Sequence, residues 1–377
     1  MAITIYQVYL RSIGTYRDLT RNLNYFVELG IDYLWINPTF PHGGKDGGYD
    51  ITDYYGVSPE FGTLLDMEEF IKQAHILGLR IIIDLVMNHT SNAHPWFVDS
   101  MANGEKKDWY CWQPSDNDIN ACNWISEFVQ SPWTYCPERK QYYYHYFYPE
   151  QPDLSYECPE VIDEMFRIFS YWIEKGVDGF RLDAVSHVME EPGNNETNYC
   201  EKQINTETNF QFWSKVRNWI DTNFPGIILI GETNHTHTTH EQINRYKEIF
   251  HYVMDFNFLK LLDSQKEKIL ELTPNAIDTL DSRGCYFLNN HDMFRARYGE
   301  SDPTIAQHVA KLLLSVPGAV IIYYGEEVGL LNQHTDLEYP ENRVASRGRF
   351  DLDSVTKNNL WYWYRDLIHL RMLRRSM

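Results

Sequence analysis

Four short segments place carboxylate, imidazole and guanidinium groups directly behind apolar, β-branched stretches of the chain. They are Asp84-Leu-Val-Met-Asn-His89, Gly179-Phe-Arg181-Leu-Asp183, Gly231-Glu232 and Asn290-His291-Asp292. In a barrel of parallel strands, the strand ends converge on one face, and catalytic residues gather there from different strands. The four segments therefore predict one site that contains at least three carboxylates, two histidines and one arginine.

Two of these carboxylates have the arrangement that hydrolysis of a glycosidic bond requires. Carboxylates about 5 Å apart across the bond give hydrolysis with retention, because one attacks the anomeric carbon and the other protonates the leaving oxygen. Asp183 and Glu232 end adjacent predicted strands, the fourth and the fifth. Arg181 lies two residues before Asp183 and points to the same side of the strand, where its charge would keep a nucleophile ionised. Glu232 follows the apolar segment 227–231, which predicts the raised pKa of a general acid.

The other polar residues complete the predicted site. Asp292 is a third carboxylate, able to hold sugar hydroxyls and to favour a positively charged transition state. His89 and His291 are polar donors for hydroxyls of the same sugar ring. Any one of these residues alone could be a structural ion pair or a buried, satisfied histidine. Their joint position at four strand ends favours a catalytic site.

A repeated unit of helix, glycine and buried strand must position these residues. Helices at 19–29, 67–77 and 161–175 lead through glycines into strands 31–35, 79–84 and 177–183, and Pro225-Gly226 leads into strand 227–230. Further strands are predicted at 251–254, 284–288 and 319–324, and a last helix at 359–373. Strands that alternate with helices, about eight of each, predict an α/β fold, the (β/α)8 TIM barrel. The alternative is an open doubly wound sheet, but no Gly-x-Gly-x-x-Gly motif follows the first strand.

The glycine spacing indicates an insertion after the third strand. The chain between Gly78 and Gly176 is about twice as long as the chain between the neighbouring pairs of junction glycines. The excess is rich in Trp, Tyr, Pro and Asn and has no clean period. We therefore predict a catalytic barrel over residues 1–88 and 152–377, with an inserted subdomain B over residues 89–151.

Composition excludes several classes of protein. The contents of 43% hydrophobic and 23% charged residues are those of a soluble globular protein, and no apolar run approaches the ~20 residues that span a bilayer. A net charge of −20 argues against a nucleic-acid partner. The N-terminus lacks a signal-peptide pattern, so the cytoplasm is the expected location. Six cysteines without Cys-x-x-Cys spacing are expected to be free thiols, although Cys111, Cys122 and Cys136 would allow one disulfide outside the cell.

The four segments, in this order and at this spacing, resemble the four conserved regions of the α-amylase family of glycoside hydrolases. The resemblance extends from about residue 5 to residue 373. It implies a retaining mechanism with Asp183 as nucleophile, Glu232 as acid/base and Asp292 as transition-state stabiliser. Gln151-Pro-Asp-Leu154 and the segment around Asp50 are similar to stretches of the α-glucosidase and oligo-1,6-glucosidase branch.

The branch resemblance implies a substrate pocket that is closed at one end. In that branch, the aspartate that matches Asp50, next to Tyr49, binds the outer hydroxyls of the terminal glucose together with an arginine near the last strand. That arginine is Arg347, in preference to Arg343. Such a pair implies exo action on short oligosaccharides. The small Ala184 after the nucleophile is associated in this branch with a preference for α-1,4 over α-1,6 linkages.

The chain departs from the family where metals bind. The branch usually carries an Asp-rich metal loop after the first strand, but residues 10–18 supply too few oxygen ligands for Ca²⁺. Ser186 replaces the lysine that often precedes the histidine of the second region. Amylases use the position of His187 in a calcium site, which leaves a weak calcium site open. Residues 234–240 hold three histidines, but a rim or solvated loop is favoured over zinc. We predict no metal and no other cofactor.

The C-terminal β-sandwich that is usual in the family is also expected to be missing, because the chain stops with the eighth helix. Trp361 and Trp363 on this helix would fit a partner surface if exposed, although core packing is favoured for at least one of them.

The sequence thus predicts a retaining, exo-acting α-glucosidase for maltose-like oligosaccharides. One alternative is a transglycosylase or isomerase that forms trehalose or a sucrose isomer through the same covalent intermediate. A second is a non-catalytic barrel that serves as a binding subunit, which is disfavoured because all three catalytic carboxylates are present. The expected partner is a small oligosaccharide, without nucleic acid or membrane, and the sequence leaves a homo-oligomer open.

Overall fold

The computed structural model describes residues 2–115, 124–191, 202–234, 236–277, 279–296, 298, 302–338 and 340–375. These residues contain the strands β1 (Thr4–Val8), β2 (Tyr33–Ile36), β3 (Arg80–Val86), β4 (Trp112–Pro114), β5 (Trp133–Cys136), β6 (Gln141–Tyr144), β7 (Gly179–Asp183), β8 (Ile228–Gly231), β9 (Tyr252–Met254), β10 (Gly284–Tyr286) and β11 (Ala319–Tyr323). All strands other than β4, β5 and β6 form a closed barrel in the order β1-β2-β3-β7-β8-β9-β10-β11. The predicted barrel is confirmed, and the open doubly wound sheet is excluded.

The barrel strands are parallel where their register is given, and their side chains are buried. In β1, Ile5 lies opposite Tyr33 of β2, and Thr4 lies opposite Val320 of β11. Every residue of β1, β2, β7 and β11 is buried. Burial on both faces explains why these strands are almost continuously apolar in sequence.

The helices agree with the predicted pattern except near the N-terminus. They are Leu10–Ile13, Tyr16–Arg21, Leu23–Leu29, Leu64–Ile76, Pro95–Met101, Pro159–Glu174, Glu207–Asn223, His240–Ile249, Asn257–Ser264, Pro303–Leu313 and Asn359–Arg375. Short 3-10 helices lie at Asp46–Gly48, Pro59–Phe61, Lys266–Glu271, Pro274–Ile277, Glu326–Val328 and Glu341–Ser346. The prediction of one helix over 19–29 was wrong, because two helices meet at Asn22. Its side-chain amide donates to Asp18 O at 3.0 Å, and Asn side chains of this kind compete with helical hydrogen bonding.

The glycines between helix and strand have the conformation that the sequence predicts. Gly30 ends the helix Leu23–Leu29 with φ 90°, and Gly226 precedes β8 with φ 103°. Positive φ angles are accessible to glycine without the penalty that a Cβ atom brings. These residues therefore let the chain turn back sharply from each helix into the next strand.

The chain comprises two compact units. The first consists of Met1–Asn37, Glu60–Ile83 and His251–Met377, and the second of Pro38–Pro59 and Asp84–Phe250. The second unit contains a separate antiparallel sheet in the order β4-β6-β5, within the stretch assigned to subdomain B. The assignment of residues 89–151 to a subdomain remains a prediction, and residues 116–123 of that stretch lie outside the described chain.

Cysteines and helices give two further observations on the described residues. Cys111, Cys136, Cys158 and Cys285 are free thiols, whereas Cys122 lies outside the described chain. Among the described helices, none combines the length and the apolar character that crossing a bilayer requires.

The two tryptophans of the last helix have different environments. Trp361 is completely buried, with its ring centroid 5.9 Å from that of Tyr25, whereas Trp363 is 37% exposed. The expectation of core packing for at least one of the pair is therefore confirmed for Trp361.

We predict that Trp361→Ala destabilises the fold far more than Trp363→Ala. Removal of a fully buried Trp leaves a cavity and costs about 3–5 kcal/mol, whereas surface substitutions usually change stability by about 0.5 kcal/mol or less. Urea unfolding followed by circular dichroism measures both losses. Equal losses in the two variants would contradict the difference in stability that we expect from the burial of Trp361.

Candidate active site

The second unit gathers three carboxylates around one buried guanidinium. Arg181 lies on β7 with Asp183 two residues further on, and Nη1 of Arg181 contacts Asp183 Oδ1 at 2.5 Å. The same nitrogen donates to Asp84 Oδ1 of β3 at 2.8 Å, and Nη2 lies 2.5 Å from Oε2 of Glu232, the residue that follows β8. The planar guanidinium carries several N–H donors in fixed directions, so one arginine can hold three strand ends together.

Burial and charge act against each other in this cluster. Burial disfavours the charge of Arg181, but the surrounding carboxylates raise its pKa well above the ordinary value. Burial also raises the pKa of Asp84, while Arg181 and the hydroxyl of Tyr49 act in the opposite direction. That hydroxyl donates to Asp84 Oδ2 at 2.8 Å. Asp84 therefore anchors both Arg181 and Tyr49, a role that the sequence analysis did not assign to it.

Glu232 has a different environment from the one predicted. Beyond its contact with Arg181, its Oε2 accepts the backbone N–H of Ala184 at 3.3 Å. Ala184 has φ 48°, a left-handed conformation that is uncommon for residues with a side chain. A neighbouring cation stabilises the carboxylate form, opposite to the effect of an apolar wall. The raised pKa expected for Glu232 therefore stays a prediction.

Asp50 is almost completely buried beside a short loop of the second unit. Its Oδ1 accepts the backbone N–H of Lys45 at 3.0 Å, and its Oδ2 accepts the hydroxyl of Ser91 at 3.3 Å. The Nδ1 atom of His42 lies 4.0 Å from Oδ1. Burial raises the pKa of Asp50 to about 6, although these contacts favour the carboxylate.

His89 is a buried, neutral ring held by side-chain amides. Burial lowers its pKa to about 3. Its Nε2 lies 3.0 Å from Gln151 Nε2, and its Nδ1 lies 3.3 Å from Asn88 Nδ2. Asn88 Nδ2 also donates to Asp153 Oδ2 at 2.9 Å. The Gln151–Leu154 stretch, quoted in the sequence analysis only for its resemblance to one branch, thus fixes the end of the third barrel strand.

The first unit holds Asp292 with two arginines and one histidine. Its Oδ1 accepts from Arg343 Nη1 at 2.8 Å and from Arg347 Nη2 at 3.1 Å, while His291 Nε2 lies 3.0 Å from Oδ2. Burial alone would raise the pKa of Asp292, but His291 and the two arginines hold it well below the ordinary value. Asp292 is therefore a permanent anion at neutral pH.

The arginines and a glutamine show what the sequence analysis missed. It preferred Arg347 to Arg343 as the partner of Asp50, yet both arginines bind Asp292, and the pairing with Asp50 stays a prediction. Gln7, which contacts His291, was not considered at all. Gln7 is an amide side chain within the buried strand β1. Because a buried polar group requires a partner, its position in the sequence could have indicated a polar contact.

The described residues contain no group of three or more His, Cys, Asp or Glu side chains that could hold a metal ion. Asp18, in the segment that replaces the metal loop of the family, instead forms a helix capping box with Thr15. His187 is buried with its pKa lowered to about 3 by burial. In the segment considered for zinc, His235 lies outside the described residues. The absence of metals and other cofactors remains a prediction.

Comparisons with known proteins identify the family of the chain. A family model described as the alpha amylase catalytic domain matches residues 8–360. A trehalose synthase from Pimelobacter sp. (strain R48) is 31% identical over an alignment of 463 positions that covers 98% of this chain and 79% of the relative. A probable alpha-glucosidase from Rhizobium meliloti (strain 1021) is 34% identical over an alignment of 377 positions that covers 89% of this chain and 68% of the relative. The crystal structure of a trehalose-6-phosphate hydrolase from Bacillus licheniformis matches with a TM-score of 0.85 at 25% identity, covering 98% of this chain and 83% of that one.

We predict that Arg181→Met lowers the free energy of unfolding by about 3–5 kcal/mol, because the buried Asp84 and Asp183 and the half-buried Glu232 lose their common cation. Arg167→Met is the matched control. Arg167 pairs with Glu164 on a helix surface and is 70% exposed, and such pairs contribute about 0–1 kcal/mol. Urea unfolding at neutral pH compares the two variants. A loss for Arg181→Met as small as for the control would contradict the central role of this cation.

We also predict a pH-dependent stability difference between the wild type and Asp50→Asn. Asp50 has a pKa of about 6 in the fold, above the ~3.9 of an unfolded aspartate, so the folded state binds this proton more tightly. The free energy of unfolding of the wild type, relative to the variant, should therefore fall by up to about 1.4 kcal/mol per pH unit as the pH rises from 4 to 6. Urea unfolding of both proteins at pH 4, 5, 6 and 7 measures this difference, and a constant or rising difference would rule out the raised pKa.

Proposed function

Because the chain belongs to the α-amylase family of glycoside hydrolases, we propose that it is a retaining, exo-acting α-glucosidase that hydrolyses α-linked gluco-oligosaccharides, with α-1,4 linkages favoured. The observation that carries this proposal is the contact of Asp183 and Glu232 with the same guanidinium. It supports a pair of carboxylates that act on one bond, as retention requires. A cytoplasmic location and a site without metal belong to the same proposal.

The proposed reaction has two steps. In the first, a carboxylate oxygen of Asp183 attacks the anomeric carbon, and Glu232 gives its proton to the leaving glycosidic oxygen, which forms a covalent glucosyl ester. In the second, Glu232 takes a proton from water as the water oxygen attacks the same carbon and releases Asp183. Two inversions give retention. Arg181 supports the first step because it holds Asp183 in position and favours its ionised form.

Asp292 fits the role of transition-state stabiliser. The sugar ring becomes positively charged as the glycosidic bond breaks. The low pKa of Asp292 and its contacts with Arg343 and Arg347 support a negative charge that is present before substrate binds. A preoriented charge of this kind requires little reorganisation during the reaction.

We propose that Asp50, Tyr49, His89, His291 and Arg347 bind the terminal glucose. The buried carboxylate of Asp50 and the buried rings of His89 and His291 are polar groups of the kind that recognise sugar hydroxyls. Closure of the pocket behind one sugar unit would restrict the enzyme to chain ends. This part of the proposal is supported by the resemblance to the α-glucosidase branch.

A transglycosylase or isomerase is the second candidate. The observation that supports it is the similarity to a trehalose synthase, which is 31% identical over 98% of this chain. The two functions share the first step and differ in the second, where either water or a sugar hydroxyl attacks the glucosyl ester. A non-catalytic binding subunit is disfavoured because the three carboxylates are all present and all held by cations.

Proton NMR of the wild-type protein mixed with maltose tests these functions. We expect free α-glucose to exceed, at first, the anomeric mixture that the reducing-end unit of maltose supplies, because retention releases the non-reducing unit as the α-anomer. Asp183→Ala should show no turnover above background and an unchanged circular dichroism spectrum. Substitution of a nucleophile usually removes several orders of magnitude of rate.

The other outcomes separate the candidates. An initial excess of β-glucose over the mixture that the reducing-end unit supplies would contradict retention. New signals of trehalose or isomaltose, in place of free glucose, would assign the protein as a transferase or isomerase. Full activity of Asp183→Ala would overturn the choice of nucleophile. Failure to act on maltose, sucrose, trehalose and isomaltose alike would favour the binding subunit.

A further inference from the structure

Gln7 makes a contact that none of the assigned roles explains. It lies on β1 and is completely buried. Its Nε2 donates to Asn37 Oδ1 at 2.9 Å and lies 2.9 Å from Nδ1 of His291. Its Oε1 is buried without a hydrogen-bond partner among the described residues. Both of these polar contacts are thus made by the amide nitrogen of Gln7. Buried polar atoms usually have a hydrogen-bond partner, so the unpartnered oxygen is unusual.

The contact determines which nitrogen of His291 carries the proton. An amide nitrogen is only a donor, so the Nδ1 atom that faces it must be an acceptor without hydrogen. With the Asn37 amide as the structure orients it, the opposite orientation of the Gln7 amide would place Oε1 against Asn37 Oδ1, and two oxygen acceptors repel each other. A neutral imidazole with an unprotonated Nδ1 carries its proton on Nε2. That nitrogen lies 3.0 Å from Asp292 Oδ2 and donates to it.

The charges around His291 act in opposite directions. Asp292 contacts two guanidiniums through Oδ1, those of Arg343 and Arg347. The guanidiniums disfavour a protonated imidazole and the carboxylate favours one, so it is the contact with Gln7 that distinguishes the two forms. The rings of Tyr9 and Trp35 fix the plane of His291, with centroids at 6.1 Å and 6.2 Å. The imidazole can therefore present Nε2–H to Asp292 in one direction only.

We propose that Gln7 is a positioning residue that acts on Asp292 through His291. By donating to Nδ1, it selects the tautomer in which Nε2–H holds Oδ2, while the two arginines hold Oδ1. The carboxylate is thereby fixed at both oxygens and cannot rotate away from a developing positive charge. The consequence for catalysis rests on the proposed function, whereas the tautomer itself does not.

Nitrogen-15 NMR of protein with labelled histidine tests the tautomer directly. The wild type should show His291 with a protonated Nε2 and an unprotonated Nδ1, and the resonance is identified by its loss in His291→Asn. Gln7→Glu replaces the donor by an acceptor and should bring a proton to Nδ1. Tyr6→Phe is the matched control, because it removes a buried hydroxyl of the same strand that donates to Glu327 and should leave the His291 signals unchanged.

Kinetics then test the positioning role. Gln7→Met keeps the length of the side chain but removes the donor. With p-nitrophenyl α-glucoside as substrate, kcat should fall roughly 10- to 100-fold, the loss typical of residues that orient a reactive group, with a smaller change in KM. We expect kcat to change more than KM because, in the proposed mechanism, Asp292 interacts more strongly with the transition state than with the bound substrate. Tyr6→Phe should retain kcat within about twofold.

Each outcome decides a separate point. A wild-type His291 that is protonated on Nδ1, or on both nitrogens, would overturn the role of Gln7 whatever the activity. The expected tautomer together with unchanged kcat in Gln7→Met would also overturn it, because the contact would then be structural only. A wild type that turns over no α-glucoside would contradict the proposed function, and the NMR comparison alone would then decide whether Gln7 sets the tautomer.

Discussion

The second unit depends on one buried cation that serves three carboxylates. Arg181 touches Asp84 within β3, Asp183 at the end of β7 and Glu232 directly after β8. A buried guanidinium is tolerated only when its charge and its N–H groups are satisfied, and buried carboxylates have the same requirement. The strand ends therefore cannot be adjusted one at a time. The position and the charge of each carboxylate are linked to the other two through this arginine.

The first unit uses the opposite ratio of charges around Asp292. There, one carboxylate is held by two guanidiniums, whereas in the second unit one guanidinium is shared by three carboxylates. The difference has a chemical meaning. An excess of cations holds the pKa of Asp292 well below its ordinary value. Where cations are short, burial raises the pKa of Asp84 to about 6 although Arg181 acts in the opposite direction.

The fold and part of the site could be predicted from the sequence because their signals are local. Arg181 and Asp183 are two residues apart on a strand, and this spacing alone predicted the side that they share. Contacts over long separations left no such signal. Arg343 meets Asp292 over 51 positions and Gln7 meets His291 over 284, and only the folded chain shows these pairs. The break at Asn22 was missed for a related reason, since an apolar period continues across a residue whose side chain competes for the helix backbone.

The left-handed backbone of Ala184 limits how this site can diversify. The residue follows the proposed nucleophile, and in this conformation its N–H donates to Glu232. Alanine tolerates a positive φ at modest strain, whereas β-branched side chains are true outliers there. If linkage preference is set at this position, then a lineage that exchanges Ala184 for a bulkier residue must offset backbone strain beside the proposed acid, Glu232. Substitutions elsewhere that offset this backbone strain would then have to precede a change of specificity at Ala184.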